Sequence, residues 1–113
     1  MIAPGSGNRR FSQISPSRRA LIRCLQRIGF GRITFQTRAG EPDPAHRCRT
    51  VRTVKLAGNP SDAPSASSLP DFALRREHVA LLATLSHVPD GACVTIEVKH
   101  GLPFKMTVEE VLA

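Results

Sequence analysis

Arg19, Arg23 and Arg27 recur at intervals of four residues. On a helix that spacing sets three guanidinium groups in one row, and guanidinium is the side chain whose fork of donors best matches phosphate oxygens. The chemistry on offer is attraction to an anionic polymer, with no bond made or broken. Arg9, Arg10 and Arg18 precede the row, and Arg32, Arg38, Arg47, Arg49 and Arg52 follow it. Arginine outnumbers lysine by 13 to 3, an excess that a GC-rich genome would also produce. The net charge of +7 is uneven: residues 1–58 carry +10 and residues 59–113 carry −3. An anionic partner would therefore meet the first half of the chain. The polar strand positions carry no aromatic platforms, which argues against base stacking of the RRM kind, and no G-x-x-G clamp of the KH kind occurs.

Other chemistries find weaker support. His46 and Cys48 flank Arg47, but neither C-x-x-C nor H-x-x-x-H spacing occurs, so no metal or other cofactor is expected. Ser86, His87 and Asp90 are of triad type, yet neighbouring helical positions point in different directions. Phosphate-loop, dinucleotide and nucleophile-elbow motifs are absent from the sequence. The expectation is a protein that is not an enzyme. Three widely spaced cysteines, Cys24, Cys48 and Cys93, argue against a disulfide framework and fit a reducing cytoplasm. No apolar run approaches the roughly 18 residues of a membrane span. The first residues lack the apolar centre of a secretory signal; they are rich in Arg and Ser, as mitochondrial presequences are, and read most simply as a disordered basic arm over 1–14.

The elements that must position these arginines follow from periodicity. Ser15 suits an N-cap and Pro16 a first helical position, and Leu21, Leu25 and Ile28 repeat on one face as far as Gly29. A second helix is expected from a cap at Asp71, with Leu74, His78, Leu81, Leu85 and Val88 as its stripe and Pro89 and Gly91 as its end. Strands follow each helix. Ile33 and Phe35 oppose Arg32, Thr34, Gln36 and Arg38; Val94, Ile96 and Val98 oppose Cys93, Thr95, Glu97 and Lys99. Gly40 and Gly101 stand where hairpin turns need positive φ. The second return strand places Phe104, Met106 and Val108 on one face. The first, from Arg47 to Leu56, alternates poorly because Val51 and Val54 differ in parity, and a bulge or an altered register is expected there.

These segments read as one building block written twice. Ala20–Gly31 aligns with Ala80–Gly91 at an offset of 60 residues, and Ile33–Pro42 aligns with Val94–Pro103 at an offset of 61. A helix with a hairpin, about 40 residues, is too small for a stable core of its own. The expected fold is α+β, a two-layer αββ-αββ internal duplication with a four-stranded antiparallel sheet and both helices on one face. Its parts are the arm 1–14, a first unit 15–56, a flexible Pro- and Ser-rich linker 57–70, and a second unit 71–113, the units sharing one compact domain.

"GRITFQTRAG" with "RTVRTVKL", and "GACVTIEVKHG" in the second unit, resemble the pattern of the YezD-like family of small bacterial proteins, a domain of unknown function. The resemblance covers about two thirds of the chain. It implies a helix-and-hairpin fold and carries no activity. The family has one copy of the unit, so a tandem departs from it. The functional expectation rests on the residues: weak, sequence-nonspecific contact with RNA or DNA through Arg19, Arg23, Arg27, Arg32, Arg38, Arg49 and Arg52. The second unit has Ala83 and His87 where the first has Arg23 and Arg27, so contact belongs to the first. The rival is self-association or protein interaction through the open sheet face, distinguished by its indifference to salt.

Overall fold

The computed structural model describes residues 10–57 and 71–111. A 3-10 turn (Phe11–Gln13) leads into α1 (Pro16–Ile28), followed by β1 (Gly31–Arg38), β2 (Glu41–Pro42), β3 (Arg49–Arg52), α2 (Arg76–Leu85), β4 (Cys93–Lys99) and β5 (Leu102–Glu109). The fold is α+β with an antiparallel sheet of five strands. The sequence dictates the ends of α1: the Ser15 hydroxyl accepts from the Arg18 N–H at 3.3 Å, and Gly29, at φ +72°, closes the helix by donating to the Leu25 carbonyl at 3.1 Å. α2 starts later than its expected cap at Asp71. That carboxylate instead binds the chain before α1, accepting from the Ser12 N–H at 2.9 Å and from Arg10 Nε at 2.8 Å.

β1 and β4 pair at the centre of the sheet, with Thr34 opposite Thr95 and Ile33 opposite Ile96. β5 lies outside β4. β2 and β3 share the other side of β1: Thr37 and Arg38 pair with Pro42 and Glu41, and Gly31–Thr34 pair with Arg52–Arg49. The return strand expected as one is thus broken in two, which makes five strands where four were expected. Pro42 and Pro44 have no N–H to give, and Asp43 forms a local turn instead, accepting from the Ala45 N–H at 2.9 Å. β3 ends at Arg52, so Val54 lies beyond the strand and its parity no longer conflicts with that of Val51. In β5 the register shifts between the partners Glu97 and Val98, so that Pro103 faces Val98 and Lys105 faces Glu97. Phe104 is the extra residue of that bulge and has no partner on β4, yet it lines a groove beside α2 together with Met106 and Val108.

Alternation places Ile33, Phe35, Val94, Ile96 and Val98 against Leu21, Leu25 and Ile28 of α1 and Leu81 and Leu85 of α2, so both helices cover one face. A second apolar cluster seals the helices from outside: Ile22 and Leu82 meet Phe11, Ile14 and Leu74. The last five residues of the arm expected over 1–14 are not disordered. Arg10–Ile14 are part of the fold, with Phe11 and Ile14 buried, the Phe11 ring stacked on Phe72 at 4.8 Å, and Arg10 bridging to Ala73. Residues 1–9 and 58–70, most of the expected linker, lie outside the described residues.

The hairpin turns are alike. Ala39 and Gly40 have φ of 55° and 72°; His100 and Gly101 have 54° and 74°, the left-handed pair of a two-residue type I′ turn. Gly40 lies against the end of α2, where a Cβ would stand 3.2 Å from Ser86 Cα. Gly101 lies against the end of α1, where a Cβ would stand 3.3 Å from Gln26 Cα, and its N–H reaches the Gly29 carbonyl at 2.9 Å. Each turn glycine touches the end of the other half's helix, while β2 and β5 pack on the helix of their own half, with Arg18 of α1 3.7 Å from Glu41 of β2.

Candidate nucleic-acid interface

The seven arginines singled out by sequence divide into two groups. Arg19 and Arg23 are half-buried and engaged. Arg19 Nη1 donates to the Ile14 carbonyl at 2.7 Å, tying down the end of the 3-10 turn. The Arg23 guanidinium lies 4.3 Å from the Phe11 ring centre and 5.4 Å from that of Phe72, and Nη1 donates to Gln26 Oε1 at 3.0 Å. The solvated row expected on α1 is thus not what these two residues form. They hold the N-terminal segment over the helices because Phe11 and Phe72 offer π faces beside them. Arg27 alone of the row is exposed.

Arg32, Arg49 and Arg52 lie on the adjoining strands β1 and β3, Arg38 lies at the β2 end of β1, and all four are exposed. The register settles their faces. Arg49 is opposite Thr34 and Arg32 opposite Val51, so Arg32 and Arg49 are diagonal neighbours on the sheet face away from the helices. Arg38 shares that face further along β1, with the Asp43 carboxylate near enough to feel its charge. Arg52, opposite Gly31, lies on the other side of β3. Gly31 is what lets β3 come this close: at φ +148°, a Cβ there would lie 1.9 Å from the Val51 carbonyl oxygen. Among the described residues, Arg27, Arg32, Arg47, Arg49 and Arg52 form no ion pair.

Lys99 and Lys105 also face away from the helices, which reading the first half alone missed; the parity of Lys99 was visible, whereas that of Lys105 depends on the bulge. Glu97 lies between them, 3.7 Å from Lys105. The Thr34 and Thr95 hydroxyls lie 3.1 Å apart at the middle of this face.

The titratable groups that depart from their ordinary values are structural. The Arg10 guanidinium, with the Ser12 N–H, holds Asp71 down at about 2. The Ala45 N–H, then His46, lowers Asp43. Burial pushes the His78 imidazole down against the opposing pull of Glu77; its Nδ1 accepts the Arg75 N–H at 3.2 Å. Desolvation and then Cys24 raise the Cys48 thiol, disfavouring the thiolate that would act as nucleophile or metal ligand. The Ser86 hydroxyl donates to the Ala83 carbonyl at 2.6 Å, and Asp90 accepts from the Ala39 N–H at 2.8 Å, so both are occupied by local structure. Among the described residues no three His, Cys, Asp or Glu side chains gather as a metal site, and no helix is long and apolar enough to cross a membrane.

Among the described residues, the fold and surface define a small α+β protein with an antiparallel sheet covered by helices on one face, its polar face uncovered and basic along one side. Comparison with protein-family models, curated proteins and solved structures gives no match.

Proposed function

We propose that the protein is a non-catalytic module for weak, sequence-nonspecific binding of RNA or DNA, acting in the cytoplasm. The observation that carries this reading is the gathering of Arg32, Arg49 and Arg52 on adjoining β1 and β3, exposed and without ion pairs among the described residues. Arg38 and Arg47 extend the surface. Phosphate attraction needs no more than such a basic edge, and lack of stacking platforms makes it indifferent to base sequence. Arg19 and Arg23 are not contact residues in this reading; they support the fold. The test is fluorescence anisotropy with mixed-sequence RNA and DNA across a salt series. Affinity is expected to be on the order of micromolar or weaker at moderate salt, and the Arg32→Gln/Arg49→Gln/Arg52→Gln variant to flatten the salt slope by up to about three phosphate contacts. Equal slopes for both proteins would refute the reading.

The same reading includes an ancestry. The chain is a fused pair of helix–hairpin units, the tandem form of the unit that resembles the YezD-like family. Support comes from equivalences at the sequence offsets of 60 and 61: Ile14 with Leu74 and Ile22 with Leu82 in the second cluster, Ala39–Gly40 with His100–Gly101 in the turns, and Thr34 paired with Thr95 across the centre. A two-fold axis between those threonines would interchange the halves, as in a dimer joined into one chain.

A further inference from the structure

β5 pairs with β4 on one side and with no strand among the described residues on the other. Its outer N–H and C=O groups form a template for another strand. Apolar side chains accompany the edge: Phe104 is 48% exposed and Val108 36%, and Met106 and Val108 line a groove shared with Ala80, Leu81 and Thr84 of α2.

Charge selects the strand that fits. Lys105, Thr107 and Glu109 lie on the open face, opposite Glu97, Thr95 and Cys93. When a second β5 runs antiparallel with Thr107 opposite Thr107, each Lys105 meets the other copy's Glu109. On the helix face each Met106 then meets a Val108. A slip of one residue turns every side chain to the wrong face, and a slip of two in either direction loses both ion pairs. The chain already contains a joint of this kind: β1 and β4 pair about Thr34 and Thr95, with Arg32 opposite Glu97 two residues away.

We propose that β5 is a homodimer edge, two copies pairing antiparallel about Thr107 into a closed dimer with one continuous sheet and all helices on the same side. The occupant is a second copy because the edge complements itself in charge. This does not rest on nucleic-acid binding; it leaves the two β3 edges at opposite ends of the dimer.

Sedimentation of the full chain without nucleic acid tests it. A reversible monomer–dimer equilibrium is expected, with no larger species. Lys105→Glu and Glu109→Lys each set like charges opposite one another at both symmetric positions and should loosen the dimer by about tenfold or more. An equimolar mixture of the two restores both attractions, so a heterodimer should form at close to wild-type affinity. Should either variant fail to fold, Thr107→Cys in a Cys48→Ser/Cys93→Ser background, which removes the thiol opposite position 109, reads the register directly. It is expected to cross-link between copies under mild oxidation, whereas Glu109→Cys in the same background is not. A wild type monomeric up to about 1 mM overturns the proposal. So does a dimer indifferent to both reversals, a mixture no tighter than its components, or cross-linking at 109 in preference to 107. Larger assemblies lost on Arg49→Glu would also overturn it, assigning β5 to the β3 of the next copy.

Discussion

Arg23 is charged and half-buried, and its neighbours explain both. Phe11 and Phe72 stack on each other beneath its guanidinium, 4.3 and 5.4 Å from it. Arg23→Gln is expected to lower stability by about 0.5–2 kcal/mol in thermal or denaturant unfolding, while Arg27→Gln, at an exposed site, should stay within about 0.5 kcal/mol. The contrast was hidden in the sequence because helical period reports a direction and not what covers it. Phe11 lies in a stretch whose composition resembles a disordered arm, and Phe72 lies 61 residues away. Two titrations belong at this scale as well. His78 is held neutral by burial, so below its ordinary value of 6.5 the unfolded chain takes up a proton that the native chain resists. Stability should fall as pH drops below about 6.5 and continue to fall until the native imidazole protonates. Asp71 acts lower down. Its stabilising contribution is present above the unfolded value near 3.8 and is lost as pH falls toward about 2. Urea titrations at pH 7.5 and pH 5 should show the first loss, and His78→Leu should flatten it.

At the scale of elements, backbone conformation decides what may be exchanged. Gly40 and Gly101 combine positive φ with a close approach to the end of the opposite helix, so each Gly→Ala change should cost about 1–2 kcal/mol. Gly91 has open space around its missing side chain and pays for φ +86° alone, so Gly91→Ala should cost less than either. Gly31→Ala should be the most damaging of the set, because the Val51 carbonyl leaves no room and β3 would have to move off β1. Denaturant melts would rank the four. Both turn glycines were legible, since a glycine after an alternating run, with a proline two residues on, marks a tight hairpin. The break between β2 and β3 was legible only as faulty alternation. Which of Asp43–Cys48 leave the sheet depends on local hydrogen bonds of Asp43, and those depend on Gln36 across the strand, whose carbonyl accepts the Asp43 N–H at 2.8 Å.

For the whole molecule, the β1–β4 pairing, the two shared apolar clusters and the turn contacts make the halves interdependent. Residues 1–58 and 69–113, prepared separately, are each expected to lack cooperative melting, since each would expose the helix end and strand edge that the other covers. Mixed, they should recover a single sigmoidal transition. The succession of helices and strands was visible in the apolar spacing, and with it the α+β class and the faces that β1 and β4 bury. The basic surface was visible only as composition. Its location on the sheet side, away from Arg19 and Arg23, follows from the β1–β3 register, which joins Arg32 to a strand that local alternation describes badly. The most direct measurement of the proposed interface is an amide chemical-shift titration with mixed-sequence RNA at low salt, repeated at high salt. Perturbations are expected to concentrate on Gly31–Arg38 and Arg47–Arg52, to spare Ser15–Cys24, and to vanish on adding salt. A response centred on the α1 arginines, or no response at low salt, would contradict the account.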